Sequence, residues 1–184
     1  DFNDFGAGSV ASPGNSARAI TVGAVGITGS KRVHADFSSV GPTTMSLLLK
    51  PDVAAPGIDV LSSAPEGWAV LSGTSMASPH VAGAAALLVQ RHPDWTVAEV
   101  KSALMQTGVD AQGLRGRPIG PSFQGGGVVA LTAADLSGTS ARVRAKKADG
   151  SWGPWYQAET LDGVGDGSPA PTRTSASRRS SRRW

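Results

Sequence analysis

The stretch SGTSMASPHVAGAAALL at residues 72–88 joins a cluster of small hydroxyl residues directly to a run of Ala, Gly, Val and Leu. It predicts a helix over 75–91, with Pro79 in the first turn, where a missing N–H costs little, and Pro93 as the stop. Every face of that helix is small or apolar, which predicts burial on all sides. Ser75 at the junction admits two readings. It could cap the helix. Alternatively it is a nucleophile, held where unpaired amides and the helix dipole favour developing negative charge. Gly73, Thr74 and Ala77 are small enough to let a substrate carbonyl approach the backbone. A serine hydroxyl attacks only when a base takes its proton and preorganised donors hold the oxyanion, so its partners must be sought elsewhere in the chain.

Around this stretch, strands alternate with helices. ARAITVGAVG (17–26) is a β-branched run bounded by glycine; KPDVAAPG and IDVLSSAP are two short strands broken at Pro56-Gly57. WAVLSG (68–73) is a further strand that delivers the chain to Ser75. Thr96 to Glu99 fits a capping box, with Val97, Val100 and Leu104 at helical spacing and Gly108 as the end. FQGGGVVALTAADL (123–136) reads as a glycine turn, a short strand and a helical turn. This alternation predicts an α/β domain with a mainly parallel sheet.

Composition sets that domain apart from the carboxy-terminal tail. The 184 residues include 24 Gly and 12 Pro and carry a net charge of +3. Residues 1–136 hold 8 Lys/Arg against 10 Asp/Glu (−2), whereas 137–184 hold 9 against 4 (+5), so the basicity belongs to the tail. Within that tail, SARVRAK and SWGPWYQAE could pair about the turn signal Asp149-Gly150, giving a hairpin-like extension over 137–163. Residues 164–184 are Arg/Ser-rich, low in complexity and expected to be disordered. The absence of cysteine removes disulfides and thiolate metal sites. The longest apolar run, 81–89, is far short of the roughly 20 residues of a membrane span.

GTSMASPHVAG (73–83) is similar, nearly letter for letter, to the nucleophile segment of the subtilisin-like serine proteases, the subtilases. SVASPGNSARAITVGAV, DFSSVGP, KPDVAAPG, IDVLSS and FQGGGVV resemble further family segments in family order. Residues 1–136 therefore resemble the carboxy-terminal portion of a subtilase catalytic domain, and the expected architecture is a partial three-layer subtilisin-like fold with a β-rich and disordered tail. The resemblance implies a serine endopeptidase, secreted, acting on polypeptides through an acyl-enzyme at Ser75. The Ser75 amide would be one oxyanion donor and Asn3, upstream of Ser12-Pro13-Gly14, the second. The family has Ala-Gly before that Asn, where Asp1-Phe2 stand here. Ala11, Gly73 and Thr74 are placed to line the substrate pocket. No cofactor is expected; the resemblance allows calcium, but no oxygen-rich loop in the sequence answers to a site.

The missing element is the base. His80 is five residues beyond Ser75, about 7.5 Å along the helix and roughly 140° round it, out of hydrogen-bond reach and read as a buried, satisfied imidazole. His92 lies some 25 Å away, in a surface turn. His34 escapes this geometry, but neither it nor Asp36 has an evident route to Ser75. In the subtilases Asp and His motifs precede the oxyanion Asn, and neither Asp-Ser/Thr-Gly nor His-Gly-Thr occurs here. The chain is thus expected to lack the amino-terminal half of the catalytic domain and to be inactive and aggregation-prone alone. An α/β-hydrolase elbow is excluded because Ala77 replaces its second glycine and the later histidines fail on geometry. Two further alternatives stand. One is a degenerate scaffold, hinted at by Val40 and Ala130 where relatives carry polar residues. The other is a polyanion- or polysaccharide-binding module built from Arg142, Arg144, Lys146, Lys147, Trp152, Trp155 and Tyr156. No specific nucleic-acid partner and no membrane are expected.

Overall fold

The computed structural model describes residues 6–137, together with 142–143 and 156–157. Five strands precede the first helix: β1 (Val22–Thr28), β2 (Lys31–His34), β3 (Val53–Pro56), β4 (Val60–Ala64) and β5 (Gly67–Leu71). Helices α1 (Thr74–Arg91), α2 (Val97–Gln106), the short α3 (Pro121–Gln124) and α4 (Leu131–Leu136) come after them.

The main sheet has the order β2-β1-β3. β1 and β3 are parallel, with Val22 opposite Val53 and Val25 opposite Pro56. β1 and β2 are antiparallel, with Thr28 opposite Lys31. The sheet is therefore mixed, not mainly parallel. The cause is the two-residue loop Gly29-Ser30, in which Gly29 takes φ +59°, the geometry that turns a strand straight back on itself. Val128 adds a parallel bridge to Ala54 at the other edge. β4 and β5 form a separate two-stranded hairpin, in register from Val60–Leu71 to Ala64–Gly67.

Alternation along the strands divides the core between two faces. On one, Ala24, Val53 and Ala55 pack with Ala77, Val81, Ala84 and Leu88 of α1, Val100, Ala103 and Leu104 of α2, and Ala134 of α4. On the other, Val25 and Ala54 meet Ala111, Val128 and Ile119, so this face is covered by the irregular segment around 109–119 and, among the described residues, by no helical layer. α1 lies across β1 and β3. Its burial is confined to one stripe, Ala77-Val81-Ala84-Leu88, while Leu87 and Val89 are about half exposed. Burial on all sides is not what this chain shows: among the described residues nothing packs over the outer face.

α2 begins with the full capping box, Thr96 accepting from the Glu99 amide and Glu99 accepting from the Thr96 amide at 2.7 Å. Val97 opens the helix at 74% exposure, and burial starts only at Val100. The glycine turn 125–127 allows a very close backbone approach. Gly125 (φ +61°) lies against the Asp52 backbone with no room for a Cβ, and its neighbour's amide donates to the Asp52 carbonyl at 2.8 Å. Beyond α4, Arg142–Val143 pair antiparallel with Tyr156–Gln157. The intervening turn, the other basic and aromatic residues of that stretch and 164–184 lie outside the described residues.

Candidate active site

The position of Ser75 is set by how the chain returns from the β4–β5 hairpin. The Gly73 amide donates to the Gly57 carbonyl at 2.8 Å, which ties the start of α1 to the end of β3. A Cβ at Gly57 would stand 2.8 Å from the Gly73 carbonyl oxygen and 2.7 Å from the Ala24 Cβ, so only glycine permits this approach. Ser72 reinforces the return, accepting from the Asp59 amide at 2.9 Å.

Gly73 is the helix N-cap and has no side-chain cap; its carbonyl accepts from the Met76 amide at 3.0 Å and the Ala77 amide at 3.4 Å. Ser75 is thus the second helical residue and caps nothing. Its side chain is exposed, and among the described residues neither its hydroxyl nor its amide has a hydrogen-bond partner. No acidic residue stands in the first turn of α1 to offset its positive end. A hydroxyl beside an unpaired amide at the mouth of an 18-residue helix is suited to attack on a carbonyl whose oxygen then takes up negative charge.

A cleft of about 730 Å³ opens at this point. Thr74, Ser75, Ser78 and Pro79 form the α1 side; 10–14, 19–23, Ser38, Ser39 and Pro51 form the rest. Ser75, Thr74 and Ala11, singled out in the sequence, therefore share one cavity. Gly73 is buried behind it as the N-cap and does not line it. Asn3 lies outside the described residues. Ser78, three residues on from Ser75 and on the same helix face, was findable by helical spacing. The 19–23 wall carried no such signal, because its role depends on which segments the fold brings beside α1.

None of the three histidine rings bonds to Ser75. His80 is exposed instead of buried, its Nδ1–H donating to the Met76 carbonyl at 2.8 Å along the same helix. His92 caps the far end of α1, its Nε2–H donating to Asp135 Oδ1 at 3.0 Å while its ring stacks on Trp95 at 3.9 Å. The hydrogen bond from Arg91 is the main reason the Asp135 carboxyl titrates below the usual carboxylate range; His92 adds to it and partial burial works against it. His34, at the end of β2, is edge-on to Phe123 at 5.3 Å, and its buried Nε2 has no hydrogen-bond partner among the described residues. Burial lowers its pKa below the ordinary 6.5, against the opposing pull of Asp36. It is not among the residues lining the cleft.

Among the described residues, no three His, Asp or Glu side chains converge as metal ligands. The buried Asp52 carboxylate is flanked by the ammonium groups of Lys50 at 2.7 Å and Lys101 at 3.1 Å, which disfavours a calcium ion there. Among the described residues no helix is long and apolar enough to cross a membrane.

The family profile described as "Subtilase family", peptidase family S8, matches residues 2–142, and the chain belongs to that family. It is 41% identical over 100 residues to the "Minor extracellular protease Vpr" of Bacillus subtilis (strain 168), covering 50% of this chain and 12% of that protein. Identity to "Subtilisin NAT" of Bacillus subtilis subsp. natto is 42% over 106 residues, 57% of this chain and 26% of that protein. "Subtilisin-like protease SBT1.3" of Arabidopsis thaliana is 49% identical over 90 residues, 41% of this chain and 12% of that protein. The chain thus spans about an eighth to a quarter of the length of these relatives.

Proposed function

We propose that this chain carries the nucleophile half of a serine endopeptidase site. Ser75 attacks the scissile carbonyl of a polypeptide to form an acyl-enzyme. The Ser75 amide, with Asn3 as second donor, receives the oxyanion, and Thr74 and Ala11 bound the pocket over the backbone that Gly73 sets. The observation that carries the reading is the hydroxyl and amide of Ser75, without hydrogen-bond partners among the described residues, in the first turn of α1 and open to the cleft.

The proton acceptor is not in this sequence. With every imidazole committed or remote, the chain alone is inactive, and the base and its orienting acid come from residues that would complete the catalytic domain. Loss of the base removes several orders of magnitude of rate, leaving residual stabilisation from the oxyanion donors. No cofactor enters the reaction. An extracellular location is carried over from relatives such as the protease whose name contains that word.

A serine-directed fluorophosphonate probe tests this. A protein that joins this sequence to subtilase Asp and His segments is expected to label at Ser75, and its Ser75→Ala variant not to. The 184-residue chain should label barely and release no peptide from casein. Rapid casein hydrolysis by the chain alone would refute the missing-base reading.

A further inference from the structure

Behind the wall of the cleft lie three ionisable side chains that the acyl-transfer reading does not use. Lys50 and Asp52 lead into β3 and Lys101 stands on α2; their side chains are only 0, 1 and 2% exposed. Lys50 Nζ lies 2.7 Å from Asp52 Oδ2, and Lys101 Nζ lies 3.1 Å from Asp52 Oδ1. Among the described residues, further hydrogen bonds from this group converge on one short segment. Lys50 Nζ donates to the Ala19 carbonyl at 3.1 Å, and Lys101 Nζ to the carbonyls of Ala17 at 3.2 Å and Ala19 at 3.4 Å. The Thr21 amide donates to Asp52 Oδ2 at 2.7 Å.

That segment, 17–21, precedes β1, and its far side is the cleft: Ala19, Ile20 and Thr21 line it. Thr21 Oγ1 also donates to the Gly14 carbonyl at 2.5 Å, joining this wall to the one that carries Ala11. Side chains from two distant parts of the chain therefore hold the backbone of a cleft wall from behind.

We propose that Lys50, Asp52 and Lys101 are positioning residues: they fix the 17–21 backbone and so set the width of the cleft facing Ser75. The proposal rests on the reading of that cleft as the peptide site. An ammonium group has three donors and can hold two carbonyls while lying beside a carboxylate, as Lys101 does with Asp52 Oδ1 at 3.1 Å in an ion pair without a hydrogen bond, and no apolar side chain can do this. Without Lys101 the exposed Ala17 and half-buried Ala19 carbonyls lose the ammonium that ties them to α2, which frees the 17–19 backbone to shift relative to the cleft. Buried ion pairs add little net stability compared with apolar packing, so shaping the wall is the better account of such a costly cluster.

The test uses the full chain, with two readouts: anisotropy of a dye-labelled, end-blocked tetra-alanine peptide, and amide hydrogen exchange by mass spectrometry. Lys101→Met is expected to weaken peptide binding about tenfold, the size of one lost hydrogen bond to a charged group. Exchange should accelerate over 14–23 and stay unchanged over β4 and β5. Lys101→Arg, which keeps the charge and the donors, should bind within about threefold of the parent. Unchanged affinity and exchange in Lys101→Met overturn the proposal. So does uniform acceleration across the whole chain in both Lys101→Met and Lys50→Met, because the cluster would then support the fold at large. If the parent chain does not bind the peptide, the peptide-site reading falls by itself. The exchange measurement still decides the cluster's role: local acceleration supports it and none refutes it.

Discussion

At Ser75 the decisive facts are local. The helix starts one residue earlier, Gly73 fills the N-cap, and the hydroxyl bonds to nothing among the described residues. A capping serine would cost about 1 kcal/mol on replacement by alanine. Ser75→Ala should instead leave stability within about 0.5 kcal/mol, as for exposed positions away from structural features, while abolishing fluorophosphonate labelling in a completed site. Thermal melts of the two proteins check the first half. His34 gives a pH signature. Its folded pKa lies below the ordinary 6.5, so the unfolded chain binds more protons as the solution is acidified. The stability His34 contributes is therefore present above about 6.5 and declines as pH falls toward the folded value. His34→Leu should flatten that part of the stability–pH curve, read by denaturant titrations between neutral pH and about 5. Ser75 was legible because a long string of small and hydroxyl residues surrounds it. The burial of Lys50 and Lys101 was not, since lysine is almost never fully buried unless paired and, although Asp52 is two residues from Lys50, its pairing with Lys101 is remote in sequence.

Elements were legible where their signals are short-range. The capping box at Thr96 and Glu99 is present as the sequence predicts, and Thr96→Ala should cost about 1 kcal/mol. Val97, in contrast, reads as core by periodicity but is exposed; Val97→Thr should change stability by less than about 0.5 kcal/mol, whereas Leu104→Ala, fully buried, should cost about 2–5 kcal/mol. Equilibrium urea unfolding of the three variants distinguishes these outcomes. Helical spacing identifies a stripe but not where along it the helix meets its neighbours. The β1–β2 hairpin had its own signal, Gly29-Ser30 flanked by strand-forming residues, and reading strand–helix alternation alone missed it. Asp135 joins the last turn of α1 to α4 through Arg91 and His92. With its carboxyl pKa depressed, the stability it contributes is present at neutral pH and lost as pH falls through the folded value.

For the whole molecule, the arrangement of surfaces sets solution behaviour. In the β4–β5 hairpin, the pairs Leu61–Val70 and Ser63–Trp68 share one face, and Trp68 there is 76% exposed. The outer side of α1 shows Leu87 and Val89 as well. Exposed apolar surface of this kind drives association. The chain should therefore self-associate with rising concentration, and the double change Trp68→Ser and Val70→Thr should reduce that association, measured by light scattering and size-exclusion elution. An unaltered, fully monodisperse chain at high concentration would count against this account.

The sequence by itself determined the strand-to-helix junction at Ser75, the capped α2, the glycine turn at 125–127 and the family, because each rests on neighbours within a few residues or on a contiguous motif. Tertiary structure alone decided that the sheet is mixed, that α1 buries one stripe only, that Ala11 and Thr74 meet Ser75 at one cleft, and that two lysines vanish beneath its wall. Those outcomes depend on which distant segments pack together, and burial and pairing are properties of that packing rather than of any stretch read alone.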